Sequence, residues 1–343
     1  MRPATAEEIA RWDELVAANP DGGAVLQLRA FGETKARHGW QVRYFRLDEL
    51  AVTVVSRRLP GLGELWYIPN GPGVTDLDGL KRFVAAAHQL ANPPFLIKIG
   101  PEIAKGAIAP AQLQKLGLLP VRSLQYNVST VIVDLRPAEE DILAAFRQKT
   151  RYNVRLAAKK GVTVAAVPTD QAAMDMMYHL YATTTKRAGV YLRSKRYFSD
   201  YWQRYADAGH GQMFFASYEG QVLAGAFILF VGTKALYKDG GSVREHTAVQ
   251  APYALQWEIM RWLKAHGIQS YDMHGVPPPD HIDDPTHPMA GLARFKTGFQ
   301  SEVTEFIGTY DLPLDAAKYT RWLRYGQRLA MSYEFRVRKR LFY

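Results

Sequence analysis

The sequence predicts a mixed α/β (α+β) protein built as two tandem units, each a mixed sheet flanked by helices. Three observations predict this. A chain of 343 residues exceeds what one hydrophobic core ordinarily serves. Many short strand-like runs alternate with few helical ones, the signature of mixed sheets. Two segments also share one plan: strand, glycine-containing loop, helix, strand ending at glycine. The first runs from Leu65-Trp66-Tyr67-Ile68 through Pro69-Asn70-Gly71-Pro72-Gly73 and an amphipathic stretch from Asp76 to about Ala91 into 95–100. The second runs from Ala235-Leu236-Tyr237-Lys238 through Asp239-Gly240-Gly241-Ser242 and a helical stretch from Pro252 to about Ala265 into 270–275. The likeness is one of pattern, not of residue identity.

Further strands are predicted over 41–46, 51–56, 128–134, 162–167, 213–218 and 222–231, where β-branched and aromatic residues cluster between turn signals. Near Arg136-Pro137 a strand gives way to a helix whose first turn, Glu139-Glu140-Asp141, suits the positive end of the helix dipole. That helix is expected to continue to Lys160. The first unit is therefore placed at 1–135 and the second at 136–313. A basic helical stretch, 314–343, is expected to return and pack on the first unit. The segment Val276–Pro288, rich in proline and aspartate, reads as a long loop, either a lid or an ordinary surface connection.

With 48% hydrophobic and 22% charged residues the composition is that of a folded globular protein. The absence of cysteine excludes disulfides, thiolate metal sites and cysteine nucleophiles. Met1-Arg2-Pro3 leads into Glu7, Glu8 and Asp13 instead of an apolar signal core, and no apolar stretch is long enough to cross a bilayer. A soluble, cytoplasmic, monomeric protein is expected. The net charge of +10 favours phosphate-rich partners: nucleic acid, an anionic membrane surface or polyphosphate substrates.

The positive charge is concentrated. Arg147, Arg151, Arg155 and Lys159 recur every four residues and would share one stripe of the 139–160 helix, with Leu143, Phe146, Val154 and Ala157 on another face. Like charges at this spacing destabilise an isolated helix, which an anionic partner would relieve. Near the C-terminus, Arg321, Arg324, Arg328, Arg336, Arg338, Lys339 and Arg340 interleave with aromatic and aliphatic residues. That pattern suits RNA phosphates or an anionic bilayer, and the sequence does not choose between them.

Two clusters carry chemistry. In Gly291-Leu292-Ala293-Arg294-Phe295-Lys296-Thr297-Gly298-Phe299 a lysine lies among phenylalanines beside a glycine. This suits a desolvated cation acting on developing negative charge. The alternative is a strand with Lys296 facing water. In the second cluster Arg193 falls one turn from Tyr197 on a helix opening near Ser194, a pairing suited to a phosphate. His274, His281 and His287 lack the spacing of a metal site, so no metal is expected. Neither a Walker motif nor a Gly-x-Ser-x-Gly elbow occurs.

Taken in order, Gly71-Pro72, the Lys149-x-Arg151-Tyr152-Asn153-Val154-Arg155 helix, Arg193-Ser194-x-x-Tyr197, Tyr237-x-x-Gly240-Gly241-Ser242, Tyr271-Asp272-x-x-Gly275 and Phe295-Lys296-x-Gly298-Phe299 resemble the FemABX family. These are the aminoacyl-tRNA-dependent transferases that build peptidoglycan cross-bridges. The resemblance spans nearly the whole chain and implies two acetyltransferase-like (GNAT) units. It implies that Lys35, Arg193 and Tyr197 hold the phosphates of a nucleotide- or lipid-linked muropeptide. It further implies that Tyr237, with Tyr67, lines the acceptor site and that Lys296 acts at the acyl-transfer centre in a slot shaped by Phe295. The partners implied are aminoacyl-tRNA and lipid II or UDP-MurNAc-pentapeptide, with peripheral membrane contact and no cofactor. No heptad run marks a coiled-coil arm, so the compact form is expected. One position departs from the family: Gly100 stands before Pro101-Glu102 where an aspartate, a candidate base, is expected. An acyl-CoA-dependent N-acyltransferase and a non-catalytic RNA- or membrane-binding protein are the other readings.

Overall fold

The structure is a computed structural model that describes residues 1–123, 128–189, 191–338 and 341–343. The chain forms two compact units, Met1–Val128 with Phe306–Tyr343, and Ser129–Glu305. The mixed α/β class expected from the sequence holds in both.

The first unit is a seven-stranded sheet in the order β1-β2-β3-β4-β5-β15-β6. Its strands are β1 (Arg2–Pro3), β2 (Gln41–Leu47), β3 (Leu50–Leu59), β4 (Gly63–Ile68), β5 (Leu96–Ile99), β6 (Leu119–Val121) and β15 (Thr309–Pro313). The strands β2, β3 and β4 form an antiparallel meander. The helix Leu77–His88 then crosses over so that β5 pairs with β4 in parallel. Asp76 caps that helix by accepting a hydrogen bond from the Gly79 amide at 2.8 Å. Its Leu80, Phe83, Val84 and Ala87 pack on the sheet residues Val52, Val54, Trp66 and Ile97.

The second unit repeats the device. Its six-stranded sheet runs β8-β13-β12-β11-β10-β9. The strands are β8 (Ile132–Asp134), β9 (Thr163–Val167), β10 (Gly211–Tyr218), β11 (Gln221–Val231), β12 (Lys234–Ser242) and β13 (Ser270–Asp272). A short pair, β7 (Ser129–Thr130) with β14 (Thr304–Glu305), lies beside it. An antiparallel meander again ends in a parallel pair, β12 with β13, joined by the helix Ala251–Ala265. The repeated plan seen in the sequence is thus a repeated topology: one parallel pair per sheet, flanked beyond it by an antiparallel strand, β15 in one unit and β8 in the other.

Three local readings change. Residues Asp239–Ser242 do not form a loop; they continue β12, pairing with 224–227 of β11. A Cβ on Gly241 would approach the Leu180 backbone to 2.4 Å, so the glycine lets a neighbouring helix lie directly on the strand. The single helix expected over 139–160 is two, Glu139–Ala145 and Gln148–Lys159. Phe146 is extended and inserts its ring between Trp257 and Phe299, at 5.6 and 5.1 Å, so packing overrides helical continuity. The segment around Lys296 is a helix, Ala290–Lys296, not a strand. Beyond Pro313 the chain is helical as expected, over Ala316–Arg321 and Gln327–Arg336, with a π-turn at Trp322–Gly326 between them.

Candidate active site

Lys35 and Tyr67 lie in the first unit; Arg193, Tyr197, Tyr237, Phe295 and Lys296 lie in the second. Lys35, in the helix Arg29–Arg37, is buried, its ammonium 5.4 Å from the Phe31 ring centroid and 5.9 Å from that of Trp40. Tyr67, on β4, is buried against the ring of Tyr343. Gly100 follows β5 near Tyr67, Asn70 and Thr309, which line one small cleft. A Cβ at Gly100 would meet nothing nearer than the Thr309 hydroxyl at 3.6 Å, so the backbone leaves room where a carboxylate was expected. The neighbouring Glu102 instead accepts a hydrogen bond from the Asn70 amide.

The second unit gathers a polar cluster around β12. Strand alternation fails there: Phe227 pairs with Asp239 and Ile228 with Tyr237, so Lys238 is the extra residue of a β-bulge. The bulge brings three consecutive functional side chains, Tyr237, Lys238 and Asp239, out of simple alternation. Asp239 is buried and accepts a hydrogen bond from the Trp202 indole at 3.0 Å. Burial pushes its carboxyl upward, against the pull of Lys238 and that indole bond. Lys238 is itself shifted down by burial, partly offset by Asp239. The Tyr237 ring folds back over the next turn of strand, where a Cβ on Gly240 would sit 1.7 Å from its hydroxyl. Only glycine permits that pose.

Lys296 closes this cluster. Its side chain is 5% exposed, and its ammonium donates to the backbone carbonyls of His274 and Gly275, the latter at 3.0 Å. The ammonium lies 5.8 Å from the Tyr237 ring centroid. Burial lowers its pKa to about 7, with Asp272 pulling the other way. Two of the three N–H donors serve the carbonyls, which leaves one for a ligand. The slot follows from local sequence. His274 adopts a left-handed backbone, φ 58°, pinned by its amide donating to the Asp272 carboxylate at 2.6 Å. The Thr130 hydroxyl donates to the same oxygen. His274 is held neutral by burial and by the nearby Lys238 and Lys296.

Phe295 packs sideways, 5.0 Å from Tyr253 and 5.3 Å from Phe299, and so fixes the helix that carries Lys296. Gly298 completes the motif because a Cβ there would lie 2.2 Å from the Thr150 hydroxyl. At the edge of this unit Ser194 caps the helix Lys195–Asp207, and the Arg193 guanidinium lies 4.6 Å over the Tyr197 ring. The Arg193 charge acts to lower the pKa of both Tyr197 and Lys238, so it lies within electrostatic reach of the β12 cluster.

The proposed basic stripe is not continuous. Arg147 precedes the helix as its N-cap, and Arg151 donates to the carbonyls of Ala144 and Phe146 across the break. Arg155 and Lys159 remain exposed on the helix. Arg336 and Arg338 are exposed; Lys339 and Arg340 lie outside the described residues. Among the described residues there is no cluster of metal-ligating side chains, and no helix is long and apolar enough to cross a membrane. Lys238, Asp239 and Trp202 were not singled out from the sequence. A lysine–aspartate pair next to two glycines reads as a turn, and only the strand register reveals the bulge.

Such an arrangement offers a partly neutral buried lysine with one unused donor, a tyrosine beside it and a cationic rim. It suits stabilisation of an oxyanion formed on a ligand carbonyl. Known proteins share the chain's architecture. A lipid II:glycine glycyltransferase of Staphylococcus saprophyticus is 25% identical over 389 residues, covering 90% of this chain and 92% of that protein. The crystal structure of FemX superposes with a TM-score of 0.79 at 21% identity, covering 94% of this chain and 99% of FemX. A tandem GNAT protein from the clavulanic acid biosynthesis pathway superposes at 0.50 with 13% identity, over 91% and 97% of the two chains. The FemAB family model matches residues 122–217 and 210–322, more than half of the sequence, and the chain belongs to the FemAB family.

Proposed function

We propose that the protein transfers an amino acid from aminoacyl-tRNA to the side-chain amine of the diamino acid in a peptidoglycan stem peptide, and so builds the interpeptide bridge. The observation that carries this reading is Lys296: a buried ammonium held by two backbone carbonyls beside Tyr237, with one donor left over. The acyl ester is already activated, so the site must orient the amine against the ester carbonyl and stabilise the tetrahedral oxyanion. The amine forms the new C–N bond and the C–O bond to the ribose breaks. The proton lost by the amine balances the one gained by the ribose oxygen, so the substrates can close the proton account between them. Gly100 supplies no carboxylate at the position where the family resemblance places a candidate base.

Lys35, Arg193 and Tyr197 are assigned to the phosphates of the acceptor, and Tyr67 to acceptor binding. Tyr237 lines the acceptor channel, and Phe295 shapes the lysine slot. Arg155 and Lys159 are assigned to tRNA. The name of the Staphylococcus saprophyticus relative makes glycine the first donor to try and lipid II the first acceptor. A lipid-linked acceptor would bring the enzyme, as a peripheral monomer, to the inner face of the cell membrane. The acyl-CoA reading has less support, because Asp239–Ser242 is strand and not a phosphate-cradling turn before a helix. The test is transfer of radiolabelled amino acid from a charged tRNA pool to lipid II and to its soluble nucleotide precursor. Label on either acceptor, lost in Lys296→Met, is the expected result. A folded preparation that labels neither would overturn the reading.

A further inference from the structure

More than half of the exposed large apolar side chains among the described residues lie between 323 and 341. They are not scattered. Tyr325, Leu329, Tyr333 and Val337 recur every four residues, at 48%, 65%, 50% and 62% exposure. Each follows directly after a polar residue of a second series, Arg324, Arg328, Ser332 and Arg336, whose arginines are all exposed. A four-residue repeat drifts around an ordinary α-helix. Here the π-turn Trp322–Gly326 has a wider turn, which takes up part of that drift and keeps each series closer to a line. The result is an apolar stripe with an arginine stripe beside it. The only acidic side chain within the segment, Glu334, is buried beside Arg57. The apolar stripe borders an open groove of about 880 Å³ whose rim carries Arg58, Arg321 and Arg338.

We propose that this C-terminal helix docks the protein on the surface of an anionic bilayer. In that pose Leu329, Tyr333 and Val337 enter the headgroup–acyl boundary, and Arg324, Arg328 and Arg336 pair with lipid phosphates. Charge complementarity selects an anionic surface. The exposed aliphatic side chains select lipid over RNA, because Leu329 and Val337 have nothing to gain from bases or phosphates. Among the described residues no helix is long and apolar enough to cross a membrane, and an amphipathic helix of this kind lies in the interface plane.

The experiment is flotation of the full chain with phosphatidylcholine vesicles, with and without phosphatidylglycerol. Wild-type protein should float only with the anionic vesicles and be released by salt. Arg324→Gln with Arg328→Gln should weaken partitioning by about 25-fold, at about fivefold per arginine. Leu329→Asp should weaken it at least as much. All three changes are at exposed positions, and matched thermal melts check that the fold survives. Transfer to the soluble nucleotide precursor should stay unchanged in the arginine variant, which separates failure here from failure of the transferase reading. Equal binding to neutral vesicles, or flotation untouched by these substitutions, would overturn the proposal. So would loss of RNA binding in the arginine variant with vesicle binding intact, or a self-association that Leu329→Asp abolishes.

Discussion

Lys296 occupies a position where a cation is difficult to keep. Burial brings its pKa to about 7, against roughly 10.4 in an unfolded chain. Below about 7 both states hold the proton and the whole destabilisation is present. Between the two values the unfolded chain binds the extra proton, so stability rises with pH, by up to about 1.4 kcal/mol per unit. Urea titrations between pH 7 and 10 should show that slope in the wild type and a flatter one in Lys296→Met. The same substitution should lower single-turnover transfer by about 10²–10³-fold while leaving acceptor affinity in place, as for loss of one oxyanion donor. Unchanged turnover would remove Lys296 from the chemistry. The identity of this residue was legible from its setting between aromatic residues and glycine. Its support was legible only in part: Gly275 marks the end of a strand, but that the carbonyls of His274 and Gly275, 22 and 21 residues earlier, turn toward the lysine depends on the left-handed backbone at His274, which its sequence does not announce.

Elements show where sequence reading succeeds and where it fails. The strands β2, β3, β10 and β11 fall nearly where clusters of β-branched and aromatic residues between turn signals put them, and β3, β10 and β11 run as buried stretches through their sheets. The break at Phe146 escapes the same logic. Its spacing from Leu143 is helical, yet its ring is needed between Trp257 and Phe299 more than its backbone is needed in a helix. Phe146→Ala should therefore reduce stability by about 3–5 kcal/mol in denaturant melts. Restoration of a straight helix would appear as preserved stability with increased ellipticity. Gly241→Ala tests the strand that replaced an expected loop. Its Cβ would press on the Leu180 backbone at 2.4 Å, and a loss of about 1–3 kcal/mol is expected. A true loop would tolerate the methyl group.

At the scale of the molecule, the charge of +10 resolves into separate surfaces. Arg155 and Lys159 remain exposed, whereas Arg151 is occupied by backbone carbonyls. If the exposed pair meets tRNA phosphates, changing both to glutamine should lower the slope of log affinity against log salt by about 1 to 2. An unchanged slope would move the tRNA surface elsewhere. The order of strands carries one more consequence. In the first unit β15, made from residues 309–313, lies between β5 and β6, which are made from residues before 122. A nascent chain therefore emerges from the ribosome with a slot left open in its first sheet, and Ser129–Glu305 must be synthesised before the strand that fills it arrives. The part made first is the part completed last. During that interval β5 presents an unpaired edge, the kind of surface chaperones attend, and translation speed through the final segment bears directly on how much protein reaches the native state.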